Sequence, residues 1–377
     1  MAGESLEGCE DFRGFSQERL ETILQERLSR IKPISRKSRE AAQLHWSRVA
    51  KPLGSLGVLE ENLARIAGIQ GCEAVSIEHR ALVVFCGDNG IVAEGVTQTG
   101  QEVTASVTSG ITRGKSCSSL MAECAGVQVF PVDVGIACPL PKQGTCHPLL
   151  ERKVAHGTAD FLKRPAMTRR ETLVAVLTGM EAVRVLKERG YQILAVGEMG
   201  IGNTTTSSAV AAVFLREDPA LVTGRGAGLS SEGLARKIQV IREGIAGHRP
   251  DPEDGLDVLS KVGGFELAAM AGACLGAAVF RIPVVLDGLI SAAAAAAAMA
   301  VDERVPDFLL ASHVSAEPAA NLLLELLGLK PAVQAGLCLG EGTGALTLFP
   351  LLDMAKAVYS RMVTFEGMAI EAYQPLT

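Results

Sequence analysis

From about residue 80 onward, short apolar and often β-branched runs recur, each stopping at glycine or a polar residue. They are Ala81–Cys86, Val127–Val132, Ile193–Val196, Ile282–Leu286, Phe308–Ala311 and Leu337–Leu339. Segments of helical period lie between them; Leu234, Ile238, Ile241 and Ile245, for example, fall on one face after Ser230. Leu267–Phe280 and Gly288–Val301 are apolar all round. Arg281 and Asp287 separate these two stretches, each 14 residues long, and neither reaches the roughly 18 needed to span a bilayer. Both read as buried helices. Uninterrupted apolar strands alternating with helices predict an α/β fold with a parallel sheet covered on both faces. The first 75 or so residues are instead helical in pattern. Ser16 can cap a helix with Leu20, Ile23, Leu24, Leu28 and Ile31 on one stripe, ending before Pro33. Further helices are predicted over Ser38–Val49 and Leu59–Ile66.

In parallel sheets ligands bind beyond the carboxyl ends of the strands, so polar residues at the strand ends predict a site. Gly197–Thr206 reads GEMGIGNTTT. Its glycines allow amides to turn inward, and Asn203, Thr204 and Thr205 can cap the following helix, which together make an anion site. The order is GxxGxG, neither GxGxxG nor a P-loop; a plain strand-to-helix turn is the competing reading. Gly340-Glu341-Gly342-Thr343-Gly344 holds a carboxylate between glycines, where partial burial suits a general base. Lys237 follows the glycine-rich Gly224–Gly228 and either reaches a phosphate or lies on the surface of an amphipathic helix. Asp287 either accepts hydrogen bonds from a sugar or caps a helix. His313 is either a base or a structural group.

Charge narrows the ligand. With Lys+Arg 36 against Asp+Glu 42 and aromatics at only 4%, the chain of 377 residues suits neither a phosphate backbone nor stacked bases. Nine cysteines without CxxC spacing and six dispersed histidines predict a reduced, cytoplasmic protein with no metal site. Met1 to Phe12 is acidic and lacks the apolar run of a signal peptide. The 40 glycines and the seven-alanine run Ala292–Ala298 point to close backbone approach.

Eight stretches, in order, resemble the nicotinate-nucleotide–dimethylbenzimidazole phosphoribosyltransferases, which assemble the lower nucleotide loop of cobalamin. They are KPLGSLGVLE (51–60), GDNGIVAEGVT (87–97), GEMGIGNTTTSSA (197–209), GRGAGLSSEGLARK (224–237), GGFELAAMAGA (263–273), PVVLDGLISAAAA (283–295), SHVSAEP (312–318) and LGEGTGA (339–345). The resemblance implies transfer of phosphoribose from nicotinate mononucleotide to a benzimidazole, releasing nicotinate. It implies Glu341 as general base and Glu198 as a second carboxylate near the reacting centre. Gly200, Ile201, Gly202, Asn203, Thr204 and Lys237 then resemble the phosphate cradle. Gly226, Asp287, Gly288, Ser315 and Gly340 look like further mononucleotide contacts. Asp88, Asn89, Thr99, Val107 and Leu339 fall in the part that resembles the base pocket. No pyrophosphate leaves, so neither Mg²⁺ nor another cofactor is expected. The resemblance further implies a homodimer with a Rossmann-like large domain (76–347) and a small helical domain from residues 1–75 and 348–377.

The chain departs from the family's usual pattern at Asn89, where His is common, and at Val107, where some members carry Gln. Residues 97–104 lack a typical proline, and Cys338 stands where a basic residue often precedes LGEG. These changes leave the nucleotide half intact and bear on which base is accepted. Two rival readings follow: a paralogue that activates a purine or phenolic base, and a non-catalytic protein that captures nucleobases or mononucleotides.

Overall fold

The computed structural model describes residues 4–373. Three helices come first: α1 (Gln17–Leu28), α2 (Arg36–Arg48) and α3 (Val58–Gln70). Then follow β1 (Arg80–Gly87), α4 (Glu102–Thr112), α5 (Cys117–Ala125), β2 (Gln128–Gly135), β3 (Leu150–Glu151), α6 (Arg169–Glu188) and β4 (Ile193–Met199). Next come α7 (Asn203–Leu215), α8 (Pro219–Val222), α9 (Ser231–His248), α10 (Gly255–Val262) and α11 (Phe265–Phe280). The chain continues with β5 (Val284–Leu286), α12 (Leu289–Val301), β6 (Leu309–Ala311), α13 (Ala320–Leu326) and α14 (Thr343–Arg361). Polar caps set several starts: Ser16 accepts from Arg19 N, Ser35 from Ser38 N and Ser230 from Gly233 N.

The six strands form one parallel sheet in the order β3-β2-β1-β4-β5-β6. This is the doubly wound order, and its direction of winding reverses between β1 and β4. Alternation along the strands divides the core in two. Ala81, Val83 and Phe85 of β1, with Leu194 and Val196 of β4, pack among residues of α1, α6, α7, α10, α11 and α12. Leu82, Val84 and Cys86, with Ile193 and Ala195, pack on the other face among residues of α2, α3, α4, α5 and α14. Of the segments expected to build a small helical domain, α1 thus lies on one face of the sheet, and α2, α3 and α14 on the other. No helix among the described residues is long and apolar enough to cross a membrane.

One strand prediction needs correction, and one strand was not foreseen. Leu337–Leu339 is not a strand: Leu339 is 55% exposed, and the run lines a cavity instead of the sheet. The sixth strand is the two-residue β3, too short to leave a sequence pattern.

Helix contact on the first face depends on small residues. A Cβ on Gly179 of α6 would collide with the Ala269 carbonyl of α11, and one on Gly272 of α11 with the Val176 carbonyl of α6. Gly276 meets Val183 at 3.0 Å in the same way. The alanines of α12 are all buried, Ala292 at 2% and Ala293–Ala298 at 0% exposure. Replacing Gly179 by Ala is expected to lower the unfolding free energy by about 2 kcal/mol, the usual scale for overpacking a core. A methyl on Gly110 of α4 would meet nothing within 4 Å, so Gly110→Ala should instead stabilise by roughly 0.5–1 kcal/mol. Urea titrations of both variants check the contrast; equal effects would contradict the close packing.

Candidate active site

A cavity of about 170 Å³ opens beyond the carboxyl ends of β4, β5 and β6. Its floor depends on one close approach. Gly197 in β4 lies against the backbone of Gly342, where any Cβ would strike the Gly342 amide. Glu341 N donates to the Glu198 carbonyl at 3.2 Å, which fastens the loop before α14 to the end of β4. Gly340, Glu341 and Gly342 have φ of 90°, 56° and 82°, three left-handed residues in succession. For glutamate that conformation is strained, and strain of this kind persists where surrounding contacts enforce it.

The two glutamates live in different surroundings. Glu198 is 5% exposed, and its Oε2 accepts the side-chain amide of Asn203. Burial foremost, and then the charges of Asp287, Glu266 and Glu341, raise its carboxyl well above the usual range. Those surroundings penalise its charged form. The Glu341 carboxylate is part-exposed and leaves the cavity wall toward α5. There Oε2 accepts from the Ser118 hydroxyl at 2.8 Å and the Ser118 amide at 3.3 Å.

Asp287 sits at the end of β5 and takes three amides of the α14 start, Gly342 at 3.1 Å, Gly344 at 2.7 Å and Ala345 at 3.2 Å. Burial pushes its carboxyl up to about 7, opposed by those amides. In this structure its hydrogen bonds are those of a helix cap, although it lines the cavity. A Cβ on Gly344 would collide with the ring of His313. His313 itself lines the cavity, with Ser312 Oγ 3.1 Å from Nδ1 and a pKa lowered mainly by burial.

At the opposite end, Lys237 overturns the surface-lysine reading. It is 0% exposed, on the buried face of α9 with Val240, Ile241 and Gly244. Its Nζ donates to Thr204 Oγ1 at 2.9 Å and the Gly224 carbonyl at 3.2 Å. Gly226 closes over this pair; a Cβ there would come within 2.8 Å of Thr204 Oγ1. Helix α7 begins at Gly202, φ 97°, without a side-chain cap, so the expectation that Asn203, Thr204 or Thr205 caps it is not met. Of its first amides, Asn203 N donates to the Gly200 carbonyl at 3.1 Å and Thr205 N to the Gly202 carbonyl at 2.9 Å, which leaves the Thr204 amide between them for an anion.

Gly200, Ile201, Asn203, Thr204, Gly226, Gly288, Ser315, Leu339 and Gly340 line the cavity along with both glutamates and Asp287. The Ile201 amide, however, is already occupied by Thr104 Oγ1 at 3.0 Å. Thr104 in turn donates to Asp88 at 2.6 Å. Asp88 and Asn89 are fully buried beneath the glycine loop, not on the cavity wall. Asn89 donates to Glu266 at 2.8 Å and packs its Cβ beside Gly202. Burial pushes Asp88 up to about 6 and Glu266 up to about 7. Thr99 is exposed, and Val107 is half-buried on α4; neither lines the cavity.

Sequence reasoning missed Ser118, Thr104, Glu266 and Glu317. Glu317 lines the cavity, and its Oε2 is buried without a hydrogen-bond partner. Glu266 did leave a signal, a lone carboxylate opening an otherwise apolar helix.

A phosphoribosyltransferase family model matches residues 31–370. The chain belongs to that family. Among its relatives, the nicotinate-nucleotide–dimethylbenzimidazole phosphoribosyltransferase of Ruminiclostridium cellulolyticum is 42% identical over 352 residues, 93% of this chain and 99% of the relative. The protein of the same name from Roseiflexus sp. is 43% identical over 345 residues, covering 91% and 97%. The crystal structure of CobT from Thermus thermophilus superposes with a TM-score of 0.83 at 39% identity, covering 89% of this chain and 100% of that one.

A phosphoribosyltransferase must bind a phosphate, and Lys237 is a buried cation beside Thr204 at the start of α7. Burial pushes its ammonium down to about 8 from an ordinary 10.5. Between those values the unfolded chain holds a proton that the folded chain has lost, so stability rises as pH passes through that window. Relative to Lys237→Met, the unmodified protein is expected to gain roughly 1–3 kcal/mol between pH 7.5 and pH 10. Urea unfolding of both proteins across that range measures it. Parallel pH profiles would mean that the folded amine is not desolvated.

Proposed function

We propose that the protein transfers the phosphoribosyl group of nicotinate mononucleotide to 5,6-dimethylbenzimidazole or a related base, giving α-ribazole 5′-phosphate and nicotinate. The observation that carries this reading is one cavity lined at one end by two glutamates in unlike surroundings and at the other by Thr204 and Gly226, behind which Lys237 lies buried with its Nζ on Thr204 Oγ1. The names of relatives above 40% identity support the same substrates.

In this reading the phosphate rests on Lys237, Thr204 and the first turn of α7, with Gly226 backing it. The ribose then lies toward Gly288, Ser315 and Gly340, with C1′ near Glu198 and Glu341. Glu341 takes the N–H proton of the incoming base as its other nitrogen attacks C1′. The C1′–N bond to the pyridinium breaks, and its electron pair returns to the ring nitrogen. Nicotinate therefore leaves neutral at that atom and needs no acid. Attack opposite the leaving group converts the β-anomer into the α-anomer. Glu198 supplies charge where it is needed: a bound pyridinium cation favours its ionised form, so its anion develops beside the cationic sugar only when substrate is present. Glu317, with its unpartnered oxygen, is placed to accept a sugar hydroxyl.

Asp88 and Asn89 are assigned to holding the glycine loop. Choice of base falls to Leu339, which lines the cavity mouth. Exposed Met354, Met362, Val363, Met368 and Ile370 on and after the end of α14 support a homodimer, which we place in the cytoplasm.

Nicotinate release should require added dimethylbenzimidazole; a paralogue would respond to a purine or phenol instead, and a binding protein to no base. Glu341→Ala is expected to lower kcat by about 10²–10⁴-fold, the range for loss of a general base, while mononucleotide binding stays measurable. Lys237→Ala should raise KM for nicotinate mononucleotide by about tenfold or more and leave KM for the base nearly unchanged. Equal effects on both substrates would remove Lys237 from the phosphate.

A further inference from the structure

Helix α5 begins in a run of serines, Ser116-Cys117-Ser118-Ser119, and divides its first-turn amides between two acceptors. Ser116 Oγ takes the Ser119 amide at 3.0 Å, the ordinary cap supplied from the preceding residue. The Ser118 amide has no such local partner; it donates to Glu341 Oε2, 223 residues away in sequence. The Ser118 hydroxyl donates to the same oxygen at 2.8 Å and lies 2.8 Å from Ser116 Oγ, which keeps it from rotating freely. Ser118 is fully buried, so water does not compete for these bonds. Both donors fall on one oxygen. The other, Oε1, has no hydrogen-bond partner among the described residues, although Glu341 lines the cavity.

A glutamate side chain has three rotatable bonds, and an unrestrained carboxylate would sweep the cavity mouth. Here its backbone is held by the Glu198 carbonyl and the flanking left-handed glycines, and its far end by Ser118. Every part of the residue is restrained except the one oxygen left over.

We propose that Ser118 is a positioning residue for the transfer reaction, holding Glu341 Oε2 so that Oε1 faces the N–H of the incoming base. This rests on the reading of Glu341 as the proton acceptor. Ser118 touches no substrate; it acts through Glu341, and the substrate class it serves is an azole base with an ionisable ring N–H.

Steady-state nicotinate release with dimethylbenzimidazole tests it in four variants beside the unmodified protein. Ser118→Ala is expected to lower kcat about tenfold while KM for nicotinate mononucleotide changes less than about twofold, the pattern of lost alignment in the reacting complex. Ser118→Thr keeps the hydroxyl and should retain activity within about threefold. Adding Ser118→Ala to Glu341→Gln should cause no further fall, because the residue being aimed is already lost. Unchanged kcat in Ser118→Ala, or a multiplicative loss in the double variant, overturns the proposal and makes Ser118 a helix-start residue only. The underlying reading is tested separately by Glu341→Gln alone: full activity there removes the base assignment and the positioning role with it, whereas an inactive Glu341→Gln beside a fully active Ser118→Ala removes only the latter.

Discussion

The site depends on the landing of one loop on one strand. Gly340–Gly342 reaches the end of β4 because Gly197 presents no side chain there, and the contact sets Glu341 beside Glu198. It also gathers negative charge in a poorly solvated place, since Asp287, Glu266 and Glu341 all act on Glu198. Such a cluster is tolerable only if something positive faces it. No lysine or arginine hydrogen-bonds these four carboxylates among the described residues. Backbone amides serve instead: the first turn of α14 holds Asp287, and the start of α5 holds Glu341. Helix starts carry partial charges fixed in direction, which suits the cationic substrate proposed for this cavity, since no mobile cation competes with it.

Much of the fold was legible because burial on both faces leaves an unbroken apolar run, as in Ala81–Cys86. The same logic failed at Leu337–Leu339, whose apolar residues face a cavity; an apolar run does not say whether it is covered by protein or by ligand. Both long apolar helices were found from their uniform texture. Lys237 was harder, since a basic residue on an amphipathic helix normally faces water; its face meets Thr204 and the Gly224 carbonyl instead. The glycine loops were legible as loops, but which amides remain open was not. Thr104 claims the Ile201 amide from 97 positions away, and only tertiary structure shows that. Ser118 was illegible for the same reason.

Glycine and alanine divide between two tasks. In the loops they permit left-handed backbone and close approach to other chain segments. In α6, α11 and α12 they let helices come near enough for backbone to touch backbone, which builds a thin, dense layer behind the sheet. Such a layer deforms little, so the loops that emerge from it start from fixed points. That rigidity matters at a site whose groups are aimed by hydrogen bonds from several parts of the chain.

The position of α14 in the chain adds an element of timing. A ribosome releases β1, β4, the glycine loop and Lys237 well before it releases Gly340–Gly344. Until then Asp287 lacks the amides it caps, β4 ends uncovered and Glu341 has not emerged. The nascent domain can thus acquire its sheet and the Lys237–Thr204 contact while the cavity is still unfinished. The last wall of the cavity arrives with the closing helix, so a truncated or stalled chain holds Lys237 and the glycine loop without Glu341.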